Sequence, residues 1–543
     1  MDNKKKGMSR SLLGVGLFIA IATAVVLWFY MDSMPSSANL IPKDTMAVAT
    51  FSLANMSKKA DLEKNLDRFY EISGQERTDD FDVDLLIEAI NPLASMFLYS
   101  YMDDDSMMPY FCFSMDVSDK EKFAEFVKKT SSSYDLDWEI KDKDNYSYGY
   151  KERGDYAMAW DDDKALIIWT FSDLDTDQIA TLFSLKEEEK VLSDPQFEDF
   201  YFDRGDVSFW FNSDPIVPML EYAISGMGMM GMDDELMSMI PEKEYWENSS
   251  GALNIFFNTD GIKTEFVSYD NEKMTKINET IFADADFESD ILTYVPGKSL
   301  VSFSMAMDLQ ALNESEAMDL LWEGFEEGSE MSEKDFKSGL KQEMNLEWDK
   351  LIAAIGGSVV INFSGMDGRA PELTFATNHY DEELISQVMK EFVDLGLFEN
   401  YGDYYMIDEN PPLYIAYNEN TIVGSFDKGV IKKVKNEDGL ENNLSNTDIG
   451  GKMDDNLVYA HMNLNLSDWP EEVGEEMRPR RRDDRRIFNR AEKMFESIEL
   501  SCYDYNQADL NLNMNVGDSP NSLEAFIDFG LDEFKKEMDR YRN

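Results

Sequence analysis

Clusters of acidic residues are spaced so that they could hold a divalent cation. Asp80, Asp82 and Asp84 alternate along one short run, and two triplets follow, Asp103-Asp104-Asp105 and Asp161-Asp162-Asp163. Carboxylate oxygens at close range are the ligands that Ca2+ takes. An EF-hand loop needs Gly at its sixth position and Glu at its twelfth. Counted from Asp80 these positions hold Leu85 and Asn91, so that motif fails, and Asp84 reads as a helix cap. The two triplets suit turns, where Asp bonds nearby backbone. They remain weak Ca2+ candidates, and no other cofactor is expected.

Paired carboxylates could also hydrolyse a glycosidic bond. With 109 acidic residues such pairs are everywhere, so the pattern selects nothing without geometry. There are two histidines, His379 and His461, and two cysteines, Cys112 and Cys502, too few for a multi-His or Cys-rich zinc site. A disulfide between the cysteines is possible, but two buried, inert thiols are the preferred reading. Nucleophile-elbow, phosphate-loop, zincin and dinucleotide motifs are absent from the sequence. Gly356-Gly357 reads as the end of a helix.

Three further patterns concern partners. Arg-Gly-Asp occurs at 153–155 and 204–206, an adhesion signature that ordinary turn chemistry also explains. Arg478, Arg480, Arg481, Arg482, Arg485, Arg486 and Arg490 form a basic run interrupted by Asp483-Asp484. Against a net charge of −59 this run is expected to pair with the chain's own acids, and nucleic acid is excluded as a partner. Met227, Met229, Met230 and Met232 lie in a Met/Gly tract. Such soft, adaptable side chains make it the candidate for contact with an apolar partner.

The elements that must position these residues begin with Lys4-Lys5-Lys6 and Arg10, followed by an uncharged apolar run at 12–30. Nineteen residues at about 1.5 Å each roughly span a hydrocarbon core. Basic residues precede the run and Trp28 and Tyr30 close it, so the bulk of the chain is expected outside the cytoplasm. A cleavable signal peptide ending near Ser36-Ser37-Ala38 is the rival reading. At 43% apolar residues, the rest is globular in composition.

Beyond residue 40, strands and helices alternate. Strands are expected at 45–53, 93–101, 110–115, 157–160 and 165–171, with helices at 58–72, 84–90 and 118–129. Ser118 and Glu121 have capping-box spacing. The pattern then returns. Asp84-Leu-Leu-Ile-Glu-Ala-Ile90 and Asp349-Lys-Leu-Ile-Ala-Ala-Ile355 agree at five of seven positions. Val295-Pro296 echoes Ile41-Pro42, and the strand pair 413–417 and 421–426 echoes the 157–171 hairpin. The apolar residues at 86, 87 and 90 of the repeated motif are expected to pack in the core of each copy. A final strand pair at 498–505 and 508–516 precedes an amphipathic helix over 523–541.

The opening Ile41-Pro42-Lys-Asp-Thr-Met-Ala-Val48 and the following Phe51-Ser-Leu53 resemble the DUF4836 family of exported Bacteroidetes proteins, itself similar to the DUF3352 proteins. Residues 40–62 carry the clearest likeness, and the layout extends it over most of the chain. Many members look like lipoproteins; this sequence departs from them in having no lipobox cysteine after the apolar run. The resemblance implies no established activity or catalytic residue.

The fold expected is therefore α+β. A transmembrane or signal segment at 1–35 is followed by two duplicated lobes, 36–290 and 291–543, each a mostly antiparallel sheet with helices packed on it. The function expected is a membrane-tethered, extracytoplasmic binding or structural protein of the bacterial envelope, with an unknown envelope protein or ligand as partner. The alternative is an envelope hydrolase with a carboxylate-based site.

Overall fold

The structure is a computed structural model. It describes residues 35–73, 83–92, 94–102, 109–133, 138–143, 145–151, 154–218, 243–329, 331–368 and 370–542. The apolar run at 12–30, Asp79 to Asp82, Asp103 to Asp105, Arg153 and the Met/Gly tract lie outside the described residues. Among the described residues no helix is long and apolar enough to cross a membrane.

The fold is α+β and the strand ladders are antiparallel. Contacts group the chain into two compact units, residues 1–45, 50–54 and 78–198, and residues 46–49, 55–77 and 199–543. The chain passes between them within β1 (Ala47–Ser52).

The first unit carries β2 (Ser95–Met102), β3 (Pro109–Asp116), β4 (Glu139–Asp142), β5 (Ser147–Tyr150), β6 (Tyr156–Trp160) and β7 (Lys164–Thr170). Their order across the sheet is β2-β3-β7-β6-β5-β4. Phe123, Phe126 and Val127 recur at helical spacing on Lys120–Ser133 and pack with Met115, Met158 and Trp160. Helix Val83–Ala89 and the residue after it add Leu85, Leu86, Ala89 and Ile90 to this core, whereas Ile87 faces solvent. The expected core position at 87 is thus corrected: the buried face is centred on Leu85, Leu86, Ala89 and Ile90, and Ile87 falls outside that arc.

The caps differ from expectation as well. The carboxylate of Asp119 accepts from the N–H groups of Glu121 and Lys122, while Ser118 Oγ donates to the carbonyl of Ile90. Asp is the better anionic acceptor at a helix start, and it displaces Ser by one position. Helices Val83–Ala89 and Trp348–Ala354 begin before Asp84 and Asp349, so each aspartate sits in the first turn rather than at the cap.

The second unit carries β8 (Val207–Asn212), β9 (Ser250–Phe257), β10 (Gly261–Tyr269), β11 (Val301–Met305), β12 (Ile355–Asp367), β13 (Ala370–His379), β14 (Glu399–Asn400), β15 (Tyr405–Ile407), β16 (Leu413–Tyr417), β17 (Thr421–Ser425), β18 (Val458–Asn463), β19 (Phe495–Asp504) and β20 (Gln507–Met514). One ladder runs β8-β9-β10-β20-β19-β18-β11-β12-β13-β17-β16-β15-β14. Helix Lys428–Lys435 buries Val430, Ile431 and Val434 against Val360, Ala416, Val423 and Tyr459. Each such side chain contributes roughly 1.5–3 kcal/mol. Helix Ser522–Arg542 lays Ala525, Phe526 and Phe529 on Met494, Phe495, Leu512 and Met514.

Gly356 and Gly357 do not cap a helix through a left-handed turn. The helix ends at Ala354 and both glycines lie in β12, at an irregularity between Ile355 and Val359. A Cβ on Gly357 would meet the backbone oxygen of Met307 at 1.6 Å, and one on Gly356 would meet the Asn378 side chain at 2.0 Å. That side chain accepts from the N–H of Ser358 at 3.0 Å. The pair is a close-approach site for two other segments.

Candidate functional site

The ladder brings β9-β10 and β20-β19 side by side through the pairing of β10 with β20. Val267 stands opposite Gln507, and Phe266 opposite Ala508. Near this end of the two strands is a cleft of about 480 Å³ whose lining includes Phe211, Leu253, Phe266, Phe282, Leu457 and Cys502. The volume lies within the usual range for small-ligand sites. Small residues open the space: Gly251 pairs with Phe211, and Ala508 with Phe266. Phe211 and Phe266 are 41% and 38% exposed, a large apolar area to leave in water unless something covers it.

Polar groups are few at this site. Tyr505 OH donates to Glu279 at 3.5 Å, and the Asn506 N–H-side loop is fixed because its carbonyl accepts from the N–H of Ser268 at 2.9 Å. Asn506 borders the cleft, and its side-chain oxygen is buried. Asp504 and Tyr505 complete the turn between β19 and β20 and also border the cleft. The arrangement can hold an apolar group, and its acidic border favours a cation over an anion.

A second cavity, about 250 Å³, has Glu372, Asp427 and Lys298 in its wall. Its carboxylates serve the fold. Asp427 accepts from Gly429 N–H at 2.6 Å to start helix Lys428–Lys435, and Ser364 Oγ reaches Glu372 at 3.4 Å.

Four carboxylates elsewhere are held low. Lys350 and Lys341 hold Glu347 down to about 2. Glu189 is lowered by the backbone N–H and then the ammonium of Lys186, and Glu475 by Arg478 and Arg485. At Glu533 desolvation acts upward, but Lys536, Arg490 and Arg486 outweigh it. A general acid needs the opposite shift.

The residues singled out in the sequence fall in several places. Asp161 accepts from the N–H groups of Asp163 and Lys164, and Asp162 pairs with Lys120 at 2.8 Å, so this triplet forms the turn between β6 and β7. Among the described residues no group of three or more His, Cys, Asp or Glu side chains is placed to hold a metal ion. Asp103, Asp104, Asp105, Met227, Met229, Met230 and Met232 lie outside the described residues. Four of the seven arginines of the basic run pair internally: Arg478 and Arg485 with Glu475, and Arg486 and Arg490 with Glu533. The second Arg-Gly-Asp is folded inward. Asp206 is 2% exposed, binds Lys59 at 2.6 Å and accepts from Phe257 N–H at 2.8 Å.

His379 is buried with Nε2 against the carbonyl of Asn418, and His461 faces Glu499 across β18 and β19. Burial lowers His461 toward its neutral form. Both cysteines are free thiols, and burial pushes each of them up, most strongly Cys112. Apart from Cys502, the cleft residues drew no attention in the sequence. One local signal was present: Phe266-Val267 breaks the two-residue alternation of β10, which puts apolar side chains on both faces.

The family model for the domain of unknown function DUF4836 matches residues 37–367. The chain belongs to the DUF4836 family. The matched stretch runs from the start of the globular region to the end of β12. No curated protein sequence matches this DUF4836 chain. It is similar to a solved structure titled "Structure of crystal form I of TP0453", at 11% identity and a TM-score of 0.24, over 44% of this chain and 81% of that one. A likeness of that degree carries no argument about fold or function.

Proposed function

We propose that this chain is a membrane-tethered, extracytoplasmic binding or structural protein of the bacterial envelope, and that the cleft beside β10 and β20 is its ligand-contacting surface. The observation that carries the reading is the cleft itself, with exposed Phe211 and Phe266 in its apolar wall and Asp504 and Tyr505 at its border. Exposed aromatic area with a few fixed polar groups is what a binding site needs. No observation favours the hydrolase. The resolved carboxylate shifts are downward, opposite to a general acid. Tethering rests on the apolar run at 12–30 and the basic residues before it.

The reading includes an internal duplication, each copy an α+β lobe. Strand order supports it. The sequence β2-β3-β7-β6-β5-β4 in the first unit has its counterpart in β12-β13-β17-β16-β15-β14 in the second. Likewise β8-β9-β10 corresponds to β18-β19-β20, and each of β10 and β20 is followed by a helix.

The test uses Nile red, an uncharged apolar dye, with the full-length protein in non-ionic detergent. Saturable binding that falls at least tenfold in Phe266→Asp, with the far-ultraviolet spectrum kept, is expected. Equal binding by wild type and Phe266→Asp overturns the cleft as the contact surface. Fractionation of cells into cytosol, membrane and medium tests the location, and a purely cytosolic chain removes the envelope reading.

A further inference from the structure

The proposed duplication makes one comparison possible within the second unit. Helix Leu62–Ser73 follows β1 as helix Glu316–Ser329 follows β11, and helix Glu272–Phe282 follows β10 as helix Ser522–Arg542 follows β20. The first of these helices is covered by the last. Asn65 donates to Glu524 at 3.0 Å, Arg68 pairs with Asp528 at 2.6 Å, and Phe69 stacks on Phe534 at 5.3 Å.

The equivalent helix does not lie along Glu316–Ser329. Near the start of Glu272–Phe282, Lys273 pairs with Glu316 at 3.0 Å, while near its end the carbonyl of Ile281 accepts from the N–H of Asp308 at 3.0 Å, so the helix runs back beside the segment that precedes Glu316. One turn beyond Glu316, Leu320 and Leu321 are 41% and 58% exposed. The opposite side of that helix is occupied: Trp322 packs on Phe325, Phe336 and Trp348 with ring centroids 5.5–5.6 Å apart. Helix Glu316–Ser329 carries Glu316, Asp319, Glu323, Glu326 and Glu327 and no Lys or Arg.

We propose that the Leu320–Leu321 face docks an amphipathic helix of a partner protein that presents an apolar stripe flanked by Lys or Arg. The shape follows from the other copy, where a longer helix fills this place. The charge follows from the acids on Glu316–Ser329: among the described side chains Lys273 pairs with Glu316, and Lys337 lies over the Trp322 ring on the other side of the helix. A second copy would bring a further net charge of −59, which disfavours self-association, and anionic lipid is disfavoured for the same reason. The proposal rests on the duplication for the shape of the occupant, while the exposure and charge of the face stand apart from it.

The probe is a fluorescein-labelled, 18-residue Leu/Lys peptide with helical amphipathic spacing, titrated into the full-length protein in non-ionic detergent and read by anisotropy. A scrambled peptide of the same composition controls for plain attraction to an acidic protein. The amphipathic peptide is expected to bind at least tenfold more tightly than the scrambled one. Leu320→Ser/Leu321→Ser, which leaves the charge unchanged and touches only exposed side chains, should remove that advantage. Phe211→Ser in the cleft should retain it. Equal binding of the two peptides, or unchanged binding by the double serine variant, overturns the proposal. So does loss of binding in Phe211→Ser alone, which would place the peptide in the cleft. A concentration-dependent dimer in sedimentation that vanishes in the double serine variant would assign the face to a second copy and overturn it as well.

Discussion

Removing Asp206 tests whether the second Arg-Gly-Asp is a folding element or a displayed motif. Its side chain is 3% exposed and joins two segments. Lys59 Nζ lies 2.6 Å from one carboxylate oxygen, and Phe257 N–H donates to the same oxygen at 2.8 Å. Asp206→Ala leaves that N–H without its acceptor, at a cost of about 1–3 kcal/mol. It also leaves Lys59 unpaired. The Lys59 side chain is 29% exposed and can rehydrate, so the roughly 3–5 kcal/mol lost on breaking a fully buried pair is not reached. The expected loss is about 2–4 kcal/mol in total. Lys59→Met should cost at least as much, because among the described residues it leaves the Asp206 carboxylate, 3% exposed, with only the Phe257 N–H, and the double variant should fall short of the sum by about 1–2 kcal/mol, because the pair is counted in both single changes. Urea unfolding followed by tryptophan fluorescence reads this. Trp210 is fully buried on β8, close in sequence to the changed residue. The transition midpoint should shift at constant slope. A loss below about 0.5 kcal/mol, or strict additivity with Lys59→Met, would refute the reasoning. Intact folding with lost cell attachment would restore the adhesion reading.

Two glycines should respond in opposite directions. Gly357→Ala is expected to cost well over 3 kcal/mol or to prevent folding, because the new Cβ meets the backbone oxygen of Met307 and neither strand nor carbonyl can give way cheaply. Gly339→Ala, in helix Glu333–Glu343 with nothing within 4 Å, should add up to about 1 kcal/mol; thermal melts of both variants check this. The Arg486–Glu533–Arg490 cluster carries a pH signature. Glu533 is held below its ordinary value in the folded state, so its stabilisation is present above an unfolded pKa near 4.3 and is lost as pH falls through the lower folded value. Wild type should therefore be more stable than Glu533→Gln at pH 7 by about 1 kcal/mol after solvent screening, roughly one to two degrees in melting temperature for a unit of this size. The gap should close on acidification, and a gap that persists at pH 2 would contradict the assignment.

Local order was legible where it is written in neighbouring residues. The 156–160 and 164–170 hairpin follows from apolar runs on either side of an Asp turn, and the closing helix from its apolar spacing. The internal pairing of the arginine run followed from the charge balance. What failed locally did so by single positions. Asp119 took the cap assigned to Ser118, and Ile87 turned outward from a motif whose neighbours pack. The cleft was not legible, because Phe211, Phe266, Phe282, Leu457 and Cys502 come from segments far apart in the chain. They meet through the registry of β10 on β20, and registry across such separations leaves no mark in a short window. Gly356 and Gly357 are legible as unusual, yet the atoms that exclude a side chain there belong to residues 307 and 378.

The β10–β20 pairing also orders events in time. Val267 has its ladder partner only when Gln507 has been made, long after β10 itself. Until then the β8-β9-β10 meander ends in an unpaired edge, with Phe266 on its last strand. Contacts of such long sequence separation form slowly, and open edges recruit other chains. A nascent chain must therefore keep that edge apart from its neighbours until residue 507 is made. The dense negative charge of the polypeptide acts in that direction, since two unfinished chains repel each other. Truncation before residue 507 would leave the edge permanently open, and such fragments should aggregate while the full chain stays dispersed.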